Sequence, residues 1–380
     1  MDGSANLQAT VDGRPLRILM PTARYLPEHG GTEIHTYEVA QRLASYGADV
    51  TVLTTARAEP FARVSHEGAV RVLRVRAWPS QRDYYFAPGL ARIIRESGAD
   101  IVHCQGYHTF VAPVVMLAAL SAKIPYVLTF HSGGHSSRVR QAIRPVQARA
   151  LRPLLRRARK LISSTLFEAD RFARAARMPA TAFAVIPSGS DLPAPRADDG
   201  MDDGPPVVLS LGRVESYKGH QRVVEALPAL ERARPGLHLR IVGSGPYEAE
   251  LLELAEELGV AHMLTIAPVP ADRRDEMAQL LQRAGCVVTL SEYESQGMAV
   301  HEAHGLGRPL LVSDNSALAD LGDHANVCSA SAETNSDEIA ATIVELLEAP
   351  PLPARRPLST WDDCATALLE VYLEALARHP

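Results

Sequence analysis

The sequence predicts an α/β protein made of two Rossmann-like, doubly wound parallel-sheet domains facing a central cleft. Three observations predict it. At 380 residues the chain exceeds one ordinary core and has the length of two domains of roughly 150 to 200 residues. In both halves, buried-strand patterns alternate with helix-like segments, which implies a parallel sheet covered on both faces. Between the halves lies PSGSDLPAPRADDGMDDGPP, rich in Pro, Gly and Asp and without apolar periodicity, as a linker is.

Taken in order, residues 1–14 are polar with no apolar core segment, so a flexible tail is expected and not a signal peptide. LRILMP reads as a first buried strand, PEHGGTEIHTYEVAQRLASYG as a glycine loop opening an amphipathic helix, and ADVTVLTT as a second strand. Further strands are expected at VRVLRV, DIVHCQ, PYVLTFH, KLISST and FAVIPSG, completing an N-terminal domain over 15–187. After the linker at 188–206, VVLSLGRV begins a second series that continues through HLRIVGSGP, HMLTIAP, CVVTLS and PLLVSD and fills 207–357. The closing segment 358–380 holds STWDDCATALLEVYLEALARH, an amphipathic helix with a Ser/Thr cap and an acidic first turn. Ligands of such sheets bind at the carboxyl ends of the strands.

Composition narrows the class. A 46% hydrophobic and 22% charged chain is that of a soluble globular enzyme. The net charge of −5 argues against a nucleic-acid partner. Cys104, Cys286, Cys328 and Cys364 are scattered singly without CxxC spacing, which favours free thiols in a reducing cytoplasm over a disulfide framework or zinc cluster. No apolar run reaches the roughly 20 residues that a membrane span requires. Lys123, Lys160 and Lys218 are the only lysines, an arginine bias in keeping with a GC-rich bacterial genome. The segment 138–160 is basic and holds no acid. A solvated helix face is the favoured reading there, and peripheral contact with an anionic membrane the less favoured one.

Several stretches could hold chemistry. In GRVESYKGH, Arg213 and Lys218 flank a strand-to-helix turn between Gly212 and Gly219; two fixed cations beside open backbone suit a diphosphate. Gly30 and Gly31 occupy the place of a phosphate-approaching loop, without the G-x-G-x-x-G of a dinucleotide site. Gly243 and Gly245 read more readily as a tight turn. His131 ends a strand and points to the ligand side, whereas His135 reads as surface. In SEYESQGMAVHEAHGLGRP, Glu294 falls in a loop and Glu302 inside the following helix, whose N-terminus near Gly297 and Met298 suits an anion. His301 and His304 lack the spacing of H-E-x-x-H, so a metal site is not expected.

Together the Gly30-Gly31 loop, His131, GRVESYKG and S-x-x-E…(x7)…E at 291–302, followed by AHGLGRPLLVSD, resemble the retaining nucleotide-sugar glycosyltransferases of family GT4, which have the GT-B fold. The resemblance covers almost the whole chain, and it implies that 15–187 binds the acceptor, that 207–357 binds the nucleotide sugar, and that the helix of 358–380 crosses back onto the N-terminal domain. It implies Arg213, Lys218, Glu294 and His131 as the catalytic set: the cations on the donor diphosphate, Glu294 on the sugar hydroxyls, His131 beside the reacting carbon. It implies donor contacts from Gly30, Gly31, Gly212, Gly243, Val269, Gln296, Gly297, Met298, Ala299 and Glu302, with Glu302 on the ribose. Gln296 stands where the family has an aromatic, Gly285-Cys286 where it has Ala-Asp, and Leu290-Ser291 where it has Pro-Ser; these departures bear on donor preference and remove no charged contact. The implied function is transfer of a sugar from a nucleotide-diphosphate sugar, a UDP-sugar first among donors, to an acceptor hydroxyl in natural-product, glycolipid or polysaccharide biosynthesis. No metal or other cofactor is implied. The rival readings are a nucleotide-sugar epimerase or hydrolase of the same fold, which would need no acceptor, and a non-catalytic partner of another transferase.

Overall fold

A computed structural model describes residues 8–28, 30–56, 61–79, 86–132, 138–193, 207–270, 272–321, 325–348 and 359–377, with the helix but not the side chains over 138–145. His135, residues 1–7 and the linker residues 194–206 lie outside the described residues. The chain divides into two compact units, Met1–Ser132 with Ala142–Gly189 and Ser359–Pro380, and Gly133–Gln141 with Ser190–Leu358.

The first unit opens with β1 (Thr10–Val11) and β2 (Arg14–Pro15), an antiparallel pair. This corrects the expectation of a flexible tail through residue 14. Asp12 and Gly13 both have positive φ, 50° and 74°, the Asp-Gly signature of a two-residue hairpin turn. The hairpin is tied down at Ala9, which is fully buried, donates to the Tyr46 carbonyl at 2.8 Å and accepts from Leu16 N at 2.9 Å.

There follow β3 (Arg17–Pro21), α1 (Gly31–Ser45), β4 (Asp49–Ala56), β5 (Val64–Glu67), β6 (Val70–Arg76), α2 (Gly89–Glu96), β7 (Ile101–Gln105), α3 (Val111–Ser121), β8 (Tyr126–Thr129), α4 (Arg138–Leu155), β9 (Lys160–Ser163), α5 (Leu166–Ala176) and β10 (Phe183–Val185). Among the described residues they form an eight-stranded sheet in the order β10-β9-β8-β7-β3-β4-β6-β5, parallel except for the β5–β6 edge pair. Every residue of β7 and β8 is buried, as expected of central parallel strands covered on both faces. An aromatic cluster fills one side, with the Phe130 and Phe172 rings stacked at 4.0 Å.

The second unit runs β11 (Val207–Leu211), α6 (His220–Ala233), β12 (His238–Val242), α7 (Glu248–Glu257), β13 (Leu264–Ile266), α8 (Arg274–Arg283), β14 (Cys286–Thr289), α9 (Met298–Gly305), β15 (Leu310–Ser313), β16 (Val327–Ala330) and α10 (Ser336–Glu348). Its six described strands are all parallel, in the order β13-β12-β11-β14-β15-β16. The last helix, α11 (Trp361–Ala377), belongs to the first unit and packs on α1.

Strand order reverses between β3 and β7 in one unit and between β11 and β14 in the other. At such a switch point the connections leave in opposite directions and open a crevice at the carboxyl ends, which is where ligand-contacting loops gather. Among the described residues no helix is long and apolar enough to cross a membrane.

Candidate functional site

In the second unit the switch point is built by backbones that approach too closely for side chains. Gly212 leaves β11 at φ +132°, and a Cβ on Gly243 would meet the Gly212 carbonyl oxygen at 1.9 Å. Gly243 therefore serves the turn itself, seating the end of β12 against the loop after β11. A 3-10 turn over Ser216–Lys218 ends at Gly219, φ +75°, where a Cβ would lie 2.1 Å from the Leu290 carbonyl oxygen. That contact places the Lys218 turn against the loop after β14, and Glu292 N donates to Tyr217 O at 2.8 Å.

Lys218 and Glu294, far apart in sequence, thus meet: Nζ lies 2.5 Å from Oε1, with the side chains only 12% and 13% exposed. Ser291 Oγ donates to the same Glu294 oxygen at 3.0 Å. Burial pulls the Lys218 ammonium down, but the Glu294 carboxylate outweighs it and leaves the pKa above its ordinary value. Lys218 is therefore a fixed charge. Arg213 is 60% exposed, with Nη1 2.6 Å from Glu215 Oε1 and Nη2 donating to the Tyr217 hydroxyl at 2.8 Å. Beneath it sits His220, fully buried, which reaches Ser210 Oγ at 2.8 Å and the Arg213 carbonyl at 3.2 Å. Burial holds its imidazole at about 4, so it is a neutral strut for the Arg213 backbone.

The helix α9 begins at Gly297 in the left-handed region, φ 72°. The first N–H groups of a helix have no intrahelical acceptor, so this end favours an anion. Glu302, on the second turn, is 3% exposed at its side chain and paired through Oε1 with Arg274 Nη2; Ser190 Oγ donates to that oxygen at 2.5 Å. Arg274 Nε also lies 3.2 Å from Asp191. Glu302 is thus oriented by its own ion pair, apart from the Lys218–Glu294 pair. His301 engages the Gln296 backbone while its Nε2 is buried without a partner. His301 and Glu302 therefore take different partners, and among the described residues no group of three His, Cys, Asp or Glu could hold a metal ion. Val269, half-buried, packs against the cluster that includes Val300 and Leu318.

In the first unit Gly30 and Gly31 differ. A Cβ on Gly30 would strike Glu33 Oε2 at 2.4 Å, whereas one on Gly31 would meet nothing within 4 Å. Glu33, 4% exposed at its side chain, pairs with Arg24 at 3.0 Å, so the open approach to this helix end lies over Gly31. His131 follows β8 with φ +46°, a strained value for a non-glycine residue. Its Nε2 lies 2.6 Å from Gln105 Oε1, and its carbonyl accepts from His108 Nε2 at 2.8 Å. Burial, then the neighbouring His35, His103 and His108, push its pKa well below 6.5, so the ring is neutral. The next residue, Ser132, donates its N–H to the fully buried Glu168 at 2.9 Å, and Glu168 accepts from Ser164 N at 2.9 Å as well.

The structure brings Lys218 to Glu294 and Gly212 to Gly243, and it adds groups that sequence patterns did not single out: Glu215, Tyr217 and His220 around Arg213, and Ser190 and Arg274 on Glu302. His220 was within sight, as the last residue of GRVESYKGH. Arg274 and Ser190 carry no local signal, since their partner is 28 and 112 residues away.

Comparison with known proteins follows the same division. The family described as Glycosyltransferase Family 4 matches residues 29–193, and Glycosyl transferases group 1 matches 193–357. The chain is 28% identical to a glycogen synthase of Mycobacterium tuberculosis over 95% of both chains. It is 27% identical to a D-inositol 3-phosphate glycosyltransferase of Nocardia farcinica, over 84% of this chain and 78% of the relative. Among solved structures it is similar to sucrose-phosphate synthase from Thermosynechococcus elongatus, with a TM-score of 0.71 at 20% identity over 96% and 97% of the chains. It is also similar to Anabaena HepE in complex with UDP and glucose, with a TM-score of 0.69 at 19% identity over 95% and 96%. Two family matches that together run from residue 29 to 357, on two parallel-sheet units, place the chain in the GT4 glycosyltransferases of the GT-B fold, which transfer sugar from a nucleotide sugar.

Proposed function

We propose that this glycosyltransferase is a retaining, metal-independent hexosyltransferase that moves a sugar from a UDP-sugar to a hydroxyl of an acceptor. The observation that carries the reading is the buried Lys218–Glu294 pair beside Arg213 at the switch point of the second sheet. An arriving diphosphate replaces Glu294 as the anion facing Lys218, which frees Glu294 to accept hydrogen bonds from the sugar hydroxyls. Arg213 and Lys218 then stabilise charge on the departing diphosphate, the point at which fixed cations lower a barrier most. Glu302, held through Oε1, offers Oε2 to the ribose hydroxyls. Backbone groups of Gln296, Gly297, Met298 and Ala299 take phosphate and sugar oxygens, and Gly212 and Val269 border the nucleotide. In the first unit His131 is assigned to the sugar and Gly31 to the diphosphate.

Retention follows front-face attack, with a donor phosphate oxygen taking the acceptor's proton, so the protein contributes positioning and electrostatics and no glycosidase-like carboxylate pair. The UDP preference takes support from the HepE complexes with UDP and with UDP-glucose. The acceptor class, a polyol or glycan hydroxyl, takes support from the names of the relatives. The site of action is the cytoplasm, where Cys104, Cys286, Cys328 and Cys364 remain free thiols.

The test begins with a thermal-shift screen of nucleotide sugars, followed by mass spectrometry with acceptor mixtures to find the turnover. Lys218→Ala should then lower that turnover by ~10²–10³-fold while the protein stays folded. A near-normal rate in the folded variant would remove these roles. Because the two side-chain cations neutralise the diphosphate, EDTA should leave the rate of the parent protein largely unchanged, and a collapse of activity in EDTA would refute the metal-independent part.

A further inference from the structure

The first unit carries a line of buried polar side chains that sugar transfer as described does not use, and the line ends on His131. The Tyr372 hydroxyl, in the middle of α11, lies 2.5 Å from His103 Nδ1. His103 Nε2 lies 2.7 Å from Thr129 Oγ1. Gln105 Nε2 lies 3.1 Å from His103 Nδ1, and Gln105 Oε1 lies 2.6 Å from His131 Nε2. His103 and Tyr372 are fully buried, and Gln105 and Thr129 are 3% exposed.

A carboxamide donates only from nitrogen and accepts only at oxygen, so Gln105 couples the protonation of the two rings. Its nitrogen, 3.1 Å from His103 Nδ1, shares that atom's one lone pair with the Tyr372 hydroxyl, so Nδ1 is bare and His103 carries its hydrogen on Nε2 and donates to Thr129. Its oxygen accepts from His131, which therefore carries its hydrogen on Nε2. The two ends of the line agree with this direction. A phenol is the better donor and an aliphatic hydroxyl the better acceptor, so Tyr372 gives a hydrogen to His103 Nδ1 and Thr129 Oγ1 accepts one from His103 Nε2.

We propose that Gln105, His103 and Tyr372 are positioning residues that lock His131 in its Nε2–H tautomer and leave Nδ1 bare to accept a hydroxyl of the bound sugar. The proposal rests on the assignment of His131 to the sugar. No hydrogen bond among the described residues uses His131 Nδ1. The ring is held on two further sides: His108 grips the His131 carbonyl, and the His35 ring meets it edge-on at 4.5 Å between centroids. Burial keeps the His103 imidazole at about 3 and that of His35 at about 4, so neither of these two rings carries a charge near neutral pH. Without the relay, the His131 ring would interchange tautomers and present an N–H donor where the sugar needs an acceptor.

The experiment uses the full chain, free of ligand, labelled with ¹⁵N at histidine, at pH 7. Long-range ¹H–¹⁵N spectra report which ring nitrogen carries the hydrogen, and the His131 signals are identified by their loss in His131→Asn. The expected result is a single Nε2–H tautomer for His131 and for His103 in the parent protein. In Gln105→Met, His131 should lose that single-tautomer signature, and in Tyr372→Phe the His103 pattern should change. A parent His131 with its hydrogen on Nδ1 overturns the proposal, as does a Gln105→Met protein with His131 unaltered. If Gln105→Met does not unfold cooperatively, Tyr372→Phe decides alone, and an unaltered His103 overturns the relay. Failure of the underlying assignment reads out separately, as undiminished turnover in His131→Asn with the parent tautomer spectrum intact.

Discussion

Gly243 and Gly212 meet backbone to backbone, and the Lys218 side chain packs over Gly212 with its Cδ 3.5 Å from where a Cβ would stand. The position of Lys218 thus depends on a glycine 25 residues further along the chain. Gly243→Ala forces a Cβ into the Gly212 carbonyl, and overpacking of that kind costs roughly 1–3 kcal/mol. The expected outcome is a lower urea midpoint together with reduced turnover, because the loop carrying Arg213 and Lys218 must shift. An unchanged midpoint in chemical unfolding would show that the turn relaxes at no cost. Lys218 could be singled out in the sequence because lysine is rare in this chain and sits in a glycine-flanked cationic turn. His220, two residues on, could not, because its importance lies in two contacts of its buried ring with Ser210 and with the Arg213 carbonyl.

At the scale of elements, the alternation of apolar runs with helical segments identified most of the strands. β5 and β16 escaped because both are edge strands with mixed burial, so neither shows a continuous apolar run. The hairpin of β1 and β2 escaped because two-residue strands hold no periodicity, although Asp12-Gly13 marked its turn. Helix α11 was legible to its cap. Thr360 Oγ1 accepts from Asp363 N at 3.1 Å, and Asp363 Oδ2 accepts from Thr360 N at 2.9 Å, which satisfies two otherwise unpaired donors reciprocally. Loss of such a cap costs ~1 kcal/mol. Thr360→Ala should therefore lower stability by about that amount, while Thr360→Ser keeps it; equal urea midpoints for Thr360→Ala and the parent protein would contradict the cap's role. That α11 returns to the first unit follows from the family resemblance, but its individual contacts were not legible: its Tyr372 reaches His103 across 269 residues, and its Asp362 lies 3.3 Å from Arg42 of α1.

The whole molecule carries a pH signature, since burial depresses several imidazoles together. His35 and His220 stand at about 4 and His103 at about 3, in each case with burial as the largest cause, against an ordinary 6.5. Below pH 6.5 the unfolded chain protonates these rings while the folded one keeps them neutral. The unfolded state then binds more protons, and stability falls by about 1.4 kcal/mol per pH unit for each group down to roughly pH 4. Stability is fully present above 6.5. The unfolding midpoint should therefore decline steadily between pH 6.5 and 4 when measured in urea, and a flat profile over that window would mean that these rings are not held neutral. By itself the sequence determined the two-fold αβ rhythm, the family and the charged pair of motifs around Lys218 and Glu294, because periodicity, turn chemistry and short motifs are local in the chain. Only the tertiary structure decided that Lys218 closes on Glu294, that Glu302 is held by Arg274 and Ser190, and that His131 is wired to the last helix. Those contacts join side chains tens to hundreds of residues apart, and nothing in a local pattern records which buried polar groups will satisfy one another.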